Sequence, residues 1–153
     1  RTGMNYQLAQ LNIANFRVQQ DDPVNKGFVD NLDRINAIAE NQPGFVWRLK
    51  GDGNDAMDIN AFEDPNVIVN LSVWTDTESL FDFVYKNSEH RDIMRLRKQW
   101  FDRLEFHMVL WWVEKERRPS IDEARMRLQL LQRIGPTYSA FTFKNSFAAP
   151  PSE

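Results

Sequence analysis

The chain has 153 residues, 42% hydrophobic and 27% charged, with a formal net charge of −3. That is enough chain for one domain with a substantial core, and the charge gives no general attraction for nucleic acid or anionic membrane, so neither is expected as a partner. The absence of cysteine excludes disulfides, thiol catalysis and thiolate metal sites and fits a reducing, cytoplasmic location, and no apolar run approaches the roughly 20 residues of a membrane span.

Arg1, Thr2 and Gly3 ahead of Met4 read as an expression-vector remnant, leaving residues 4–145 as the domain and 146–153 as a flexible tail. Tyr6 to Ile13 alternates as a strand. Asp22-Pro23 is a helix start, acid as N-cap and proline at the first helical position. Phe28, Leu32, Ile35 and Ile38 then recur at helical spacing until Pro43-Gly44. Phe45 to Leu49 is a second strand. The segment from Gly51 to Pro65 reads as a loop with an extended piece around Ile59 to Phe62. Val67 to Trp74 is the third strand. Thr75 with Glu78 makes a capping box for a helix bearing Leu80, Phe83 and Val84, and Ser88 caps another that runs to about Trp100. Glu105 to Val113 is a strand, Ser120 with Glu123 caps the last helix, and Gly135-Pro136 ends it. Tyr138 to Phe143 forms a short extended piece.

The last strand is the most telling. One face carries His107, Val109, Trp111 and Val113, the other Phe106, Met108, Leu110 and Trp112. Neither suits water, so both must be covered. The order strand, helix, strand, strand, helix in two pieces, strand, then helical extension predicts an α+β fold. It is the ferredoxin-like split βαβ arrangement with a four-stranded antiparallel sheet. Helices cover one face; a twin subunit packed sheet to sheet would cover the other, making a dimeric α/β barrel. A homodimer is therefore expected.

Giving each strand's most aliphatic face to the helices leaves Leu8, Gln10 and Asn12, then Ile68, Asn70, Ser72 and Trp74, then His107, Val109 and Trp111 to line the interior. Phe45, Trp47 and Leu49 are assigned inward as well. Such a wall, aromatic with a few amides, a hydroxyl and an imidazole, suits a small-molecule ligand. On the Ser88 helix, His90, Ile93, Met94, Arg97 and Trp100 share a stripe, and a core-facing stripe with histidine and arginine needs a polar partner. His90 is the candidate acid/base. Arg97 is either a carboxylate or enolate partner or one half of an ion pair with Asp76, Asp82 or Glu105. The basic runs at Arg91, Arg95, Arg97, Lys98 and Arg103, and at Lys115, Arg117 and Arg118, are interleaved with acids and read as solvated faces. The sequence contains no glycine-rich phosphate loop, paired-His metal motif or nucleophile elbow, and no metal is expected.

Gln7-Leu8-Ala9-Gln10-Leu11-Asn12, Pro43-Gly44-Phe45-Val46-Trp47-Arg48-Leu49, Ser72-Val73-Trp74, Ser88-Glu89-His90, Trp100-Phe101 and Leu110-Trp111-Trp112-Val113 resemble an uncharacterised bacterial family. It lies within the dimeric α/β-barrel superfamily that includes the antibiotic-biosynthesis monooxygenases, and the resemblance spans about Tyr6 to Phe143. The resemblance implies a cofactor-independent monooxygenase of activated aromatic substrates, for which Asn12, Trp74 and His90 are suitable residue types. Joined to the pocket read from the strands and the Ser88 helix, the leading expectation is a monooxygenase or isomerase acting on an aromatic or polyketide-like substrate, with His90, Arg97 and Asn12 catalytic. Gln10, Trp47, Asn70, Ser72, Trp74, Tyr85, Trp100, His107 and Trp111 would bind substrate. The superfamily's haem-degrading branch carries Asn on its first strand and Trp and His on the helix after the third. Asn12 matches the first, but the helix positions fall near Tyr85 and Arg95. No cofactor is therefore expected, and haem bound through His90 or His107 is the alternative. A non-catalytic dimeric binding module is a third reading.

Overall fold

In the computed structural model, residues 5–104 and 106–151 are described; the predicted remnant, Met4 and Glu105 lie outside them. Strands β1 (Tyr6–Asn15), β2 (Phe45–Arg48), β3 (Val67–Trp74) and β4 (Met108–Glu114) form one antiparallel sheet in the order β2-β3-β1-β4. The helices are α1 (Lys26–Glu40), α2 (Thr77–Phe81), α3 (Ser88–Met94) and α4 (Ile121–Ile134). The predicted α+β, ferredoxin-like order with a C-terminal helical extension holds.

Local chemistry fixes the boundaries. Asp22 Oδ1 accepts from the Val24 N–H at 2.9 Å and opens a short 3-10 turn at Pro23, after which α1 follows. Gly44 stands at φ +87, and a Cβ there would collide with the Ser79 side chain, so only glycine joins α1 to β2. Two caps differ from expectation. Asp76 Oδ1, not Thr75, takes the Ser79 N–H at 2.8 Å, and Asn87 Oδ1, not Ser88, takes that of His90 at 3.0 Å. In each case a neighbouring Asx side chain reaches the third N–H of the turn, as a hydroxyl would. Ser120 does cap α4, accepting from Glu123 N–H at 3.1 Å, but the Glu123 carboxylate turns to Arg117 and Arg127 instead of completing a box. No strand forms at Ile59 to Phe62. Phe141 pairs with the outer edge of β4 through two 2.8 Å bonds to Leu110. The Phe147 carbonyl accepts from Trp112 Nε1 at 2.8 Å, and Ser152 and Glu153 of the expected tail lie outside the described residues.

The two faces are covered differently from expectation. The aliphatic face, with Leu11, Leu71, Val73, Val109 and Trp111 all fully buried, packs under Ala124, Leu128 and Leu131 of α4 and under Ala56 and Ala61 of the loop between β2 and β3. α4 folds back across β1 and β4 with its own apolar stripe to cover this face, so the helices expected there are not α1 to α3, which lie instead over the mixed face that was left to a twin subunit. Among the described residues neither face of the sheet is left bare. Helices α1, α2 and α3 cover the opposite, mixed face.

On that mixed face the apolar side chains divide into two clusters. Leu8, Trp74, Leu80, Phe83, Leu110 and Phe141 make one. Phe16, Phe28, Ile68, Ile93 and Trp100 make the other. Gln10, Asn12, Asn70 and Ser72 lie between them on facing positions of β1 and β3. Amides and a hydroxyl do not close against apolar helices, so a gap remains there.

Candidate functional site

The gap is a solvent-open cavity of about 1200 Å³ between the mixed face of the sheet and helices α1 to α3. Its floor is a hydrogen-bonded polar group. Gln10 Nε2 donates to Asn70 Oδ1 at 2.6 Å, to the Asn70 carbonyl at 3.2 Å and to Ser72 Oγ at 2.7 Å. Trp74 Nε1 donates to the same Ser72 Oγ at 2.9 Å. A serine oxygen has two lone pairs and one hydrogen. Both lone pairs are taken, and among the described residues nothing accepts the Ser72 O–H. Its hydrogen is therefore free for an acceptor in the cavity. Trp74 itself is 1% exposed, stacked on Phe83 at 5.5 Å and edge-on to Phe45 at 5.3 Å.

His90 stands on the wall opposite the sheet. Between α2 and α3 the chain makes one wide π-turn, Asp82–Lys86, of a kind found often at functional sites. The turn brings the Val84 carbonyl to the imidazole, whose Nδ1 lies 3.2 Å away. With Nδ1 carrying the hydrogen, Nε2 keeps the lone pair. The ring rests against Phe83 at 4.5 Å. Burial pulls its pKa below the ordinary 6.5, and the bond to Val84 opposes this only in part. At neutral pH His90 is a neutral base.

His107 and Arg97 lie at the exposed mouth. Surrounding protein lowers the His107 pKa first, and the positive charge of Arg97 lowers it further. Arg97 makes no ion pair with Asp76 or Asp82: Asp76 caps α2 and Asp82 pairs with Lys86. Asn12 and Tyr85 also line the cavity, so His90, Arg97, Asn12, Gln10, Asn70, Ser72, Trp74, Tyr85 and His107 come together as expected.

Trp47, Trp100 and Trp111 do not. Trp111 is fully buried on the other face, with Arg127 over its ring at 5.9 Å, because its β4 position faces α4. Trp100 packs on Phe28 at 5.7 Å and against Gly27, wedging α1 in place. Trp47 is turned away by a bulge. Phe45 pairs with Trp74, but Trp47 pairs with Val73 and Arg48 with Ser72, so one extra residue, Val46, sits between. A single-residue slip exchanges faces. Simple alternation from Phe45 puts Trp47 inside; the bulge puts Arg48 there instead.

Arg48 was thus missed, as was Asn36. The Arg48 side chain is 4% exposed, its Nε bonded to Glu40 at 3.1 Å and its Nη2 to Asn54 Oδ1 at 2.8 Å. Asn36, on the inner side of α1, is 4% exposed and makes no side-chain hydrogen bond with a described residue. A lone amide inside the stripe Leu32, Ile35, Ala39 was the available signal. Among the described residues no three metal-ligating side chains gather, and no helix there is long and apolar enough to cross a membrane.

A profile of the family described as Domain of unknown function (DUF3291) matches residues 7–153. The chain is a member of the DUF3291 family. No curated protein matches it in sequence. Similar folds occur in a conserved protein from Methanosarcina mazei Go1, at 13% identity and TM-score 0.50 over 74% of this chain and 96% of that one. SnoaB, a cofactor-independent oxygenase from Streptomyces nogalater, is similar at 16% identity and TM-score 0.44 over 76% and 96%. A protein of unknown function from Nitrosomonas europaea matches at 10% and 0.48 over 75% and 94%. At such identities the likeness concerns the fold. Each of the three leaves about a quarter of this chain unmatched.

Proposed function

We propose that this DUF3291 protein binds a small, partly aromatic or polyketide-like molecule in the cavity and acts on it without a cofactor, as an oxygenase or isomerase. His90 removes a proton from an acidic carbon of the ligand. The observation that carries this reading is a neutral imidazole, Nδ1 engaged by Val84, facing a cavity whose floor offers the free Ser72 O–H.

The chemistry follows from those two groups. His90 Nε2 takes the proton, and the electron pair left on carbon spreads onto the adjacent carbonyl oxygen. That oxygen becomes an oxyanion, which the Ser72 O–H and the Asn12 amide stabilise by donating to it. Return of the proton to a different carbon gives an isomer. With dioxygen as co-reactant, the carbanion forms a carbon–oxygen bond, and the resulting peroxide anion takes back the proton from His90 Nε2 to give a hydroperoxide. Loss of water from that hydroperoxide leaves a new carbonyl. Phe45, Trp74 and Phe83 give the cavity an apolar wall against which the ligand's ring would lie.

Oxygen uptake with anthrone as probe tests this, comparing the native chain with His90→Gln. General-base catalysis contributes about 10²- to 10⁴-fold in rate, and a loss of that size is expected. Equal rates in both proteins, each no faster than anthrone in buffer, would remove the reading. A homodimer, as expected from the sequence, would pair through surfaces other than the two covered faces of the sheet.

A further inference from the structure

The charge around the cavity is opposite in sign to that of the chain. Overall, 22 acidic residues outnumber 19 basic ones. Among the described residues lining the cavity, Arg17, Arg91, Arg95, Arg97, Lys98 and Arg103 ring the mouth and Arg48 stands deeper, against only Asp55 and Asp102. Adding the acids just behind the wall, Asp92 on Arg95 and Glu40 on Arg48, still leaves a basic excess. Counting Glu105 by sequence as well does not reverse it.

This ring is not the solvated face of one helix. Arg91 belongs to α3, Arg95, Arg97 and Lys98 to the turn after it, Arg103 to the approach to β4, and Arg17 to the stretch beyond β1. Arg17 Nη1 even donates to the Lys98 carbonyl at 2.9 Å, tying two of these segments together at the rim. Cations that converge from separate stretches of the chain on one concave opening raise a positive potential there, which an anion seated among them would neutralise. The lowered pKa of His107, due in part to Arg97, reports the same positive potential.

We infer that the ligand is an organic anion: an apolar, ring-bearing body lodged between the two aromatic clusters, with a carboxylate, sulfonate or phosphate group held by the arginine-rich rim. This rests on the cavity being the binding site, and it adds a substrate class and an orientation. The charged end stays at the mouth beside Arg97 and Arg91, and the body reaches past His90 to Ser72 and Trp74. Arg97 then serves as an anchor at the entrance, remote from the oxyanion.

A pair of probes alike except in charge tests it: 8-anilinonaphthalene-1-sulfonate and uncharged N-phenyl-1-naphthylamine, each titrated by fluorescence. At low salt the sulfonate should bind at least about tenfold more tightly. That preference should shrink in 0.5 M NaCl, where the screening length drops to about 4 Å. Arg91→Glu with Arg97→Glu, both exposed positions, should weaken the sulfonate about tenfold and leave the uncharged probe unchanged. Arg133→Glu, on α4 away from the cavity, should change neither. Equal affinities, or charge reversals that alter both probes alike, would overturn the anion inference while leaving the cavity as a binding site. If Asn70→Trp, which fills the floor, displaced neither probe, the cavity reading would fall and the inference with it.

Discussion

Replacing Ser72 by alanine isolates the polar floor. Ser72 Oγ accepts from Trp74 Nε1 at 2.9 Å and from Gln10 Nε2 at 2.7 Å. The two donors fare differently when that oxygen is removed. Gln10 keeps Asn70 Oδ1 at 2.6 Å and the Asn70 carbonyl at 3.2 Å. Trp74, at 1% exposure, is left with a buried N–H and no partner. Stranding such a donor costs about 1–3 kcal/mol. For a domain of this size each kcal/mol lowers the melting temperature by about 2–4 °C. Nearly all of the loss should come through Trp74, so a double-mutant cycle with Trp74→Phe is the assay. In the Phe background no N–H is stranded, and Ser72→Ala should become nearly neutral, giving a coupling of about 1–2 kcal/mol by urea denaturation. A coupling below about 0.5 kcal/mol, the ordinary scatter of additivity, would mean that the indole does not depend on Ser72. The free serine hydrogen would then have no structural basis.

Leu128→Ala, at a fully buried position of α4, should cost about 3–5 kcal/mol as a core cavity and, by loosening the cover, increase self-association in light scattering; a loss under 1 kcal/mol would show that α4 does not seal the sheet. Asn36→Leu, which replaces an amide lining the cavity with a better helix former, should raise stability in urea denaturation by roughly 0.5 kcal/mol while weakening probe binding. His90 has a folded pKa below 6.5, so the unfolded chain holds the proton more tightly. Stability is unaffected above about pH 6.5 and falls as pH drops through 6.5 toward the folded value. His90→Gln should flatten that slope in denaturation curves collected from pH 7.5 to 5.

Much of this was legible in the sequence because it is periodic. Alternation in Tyr6 to Ile13 and Val67 to Trp74 fixed which residues share the cavity floor, and the two-faced strand at 105–113 showed that both sides of the sheet are covered. What failed were inferences that need distance in space. Nothing local in Ile121 to Ile134 says that this helix lies across β1 and β4, so α1 to α3 were given the aliphatic face, the mixed face was left to a twin subunit, and Trp111 went to the wrong side. The bulge at Val46 is invisible to alternation, and it concealed Arg48. The basic run from Arg91 to Lys98 looks like ordinary surface until Arg17 and Arg103 are brought beside it.

Because the sheet floor, α1 to α3 and the start of the β2–β3 loop come from the same polypeptide, the described walls of the hollow belong to a single molecule. Occupancy should therefore follow a simple hyperbola with one ligand per chain. Its midpoint should stay fixed as protein is diluted, whatever assembly the molecule adopts.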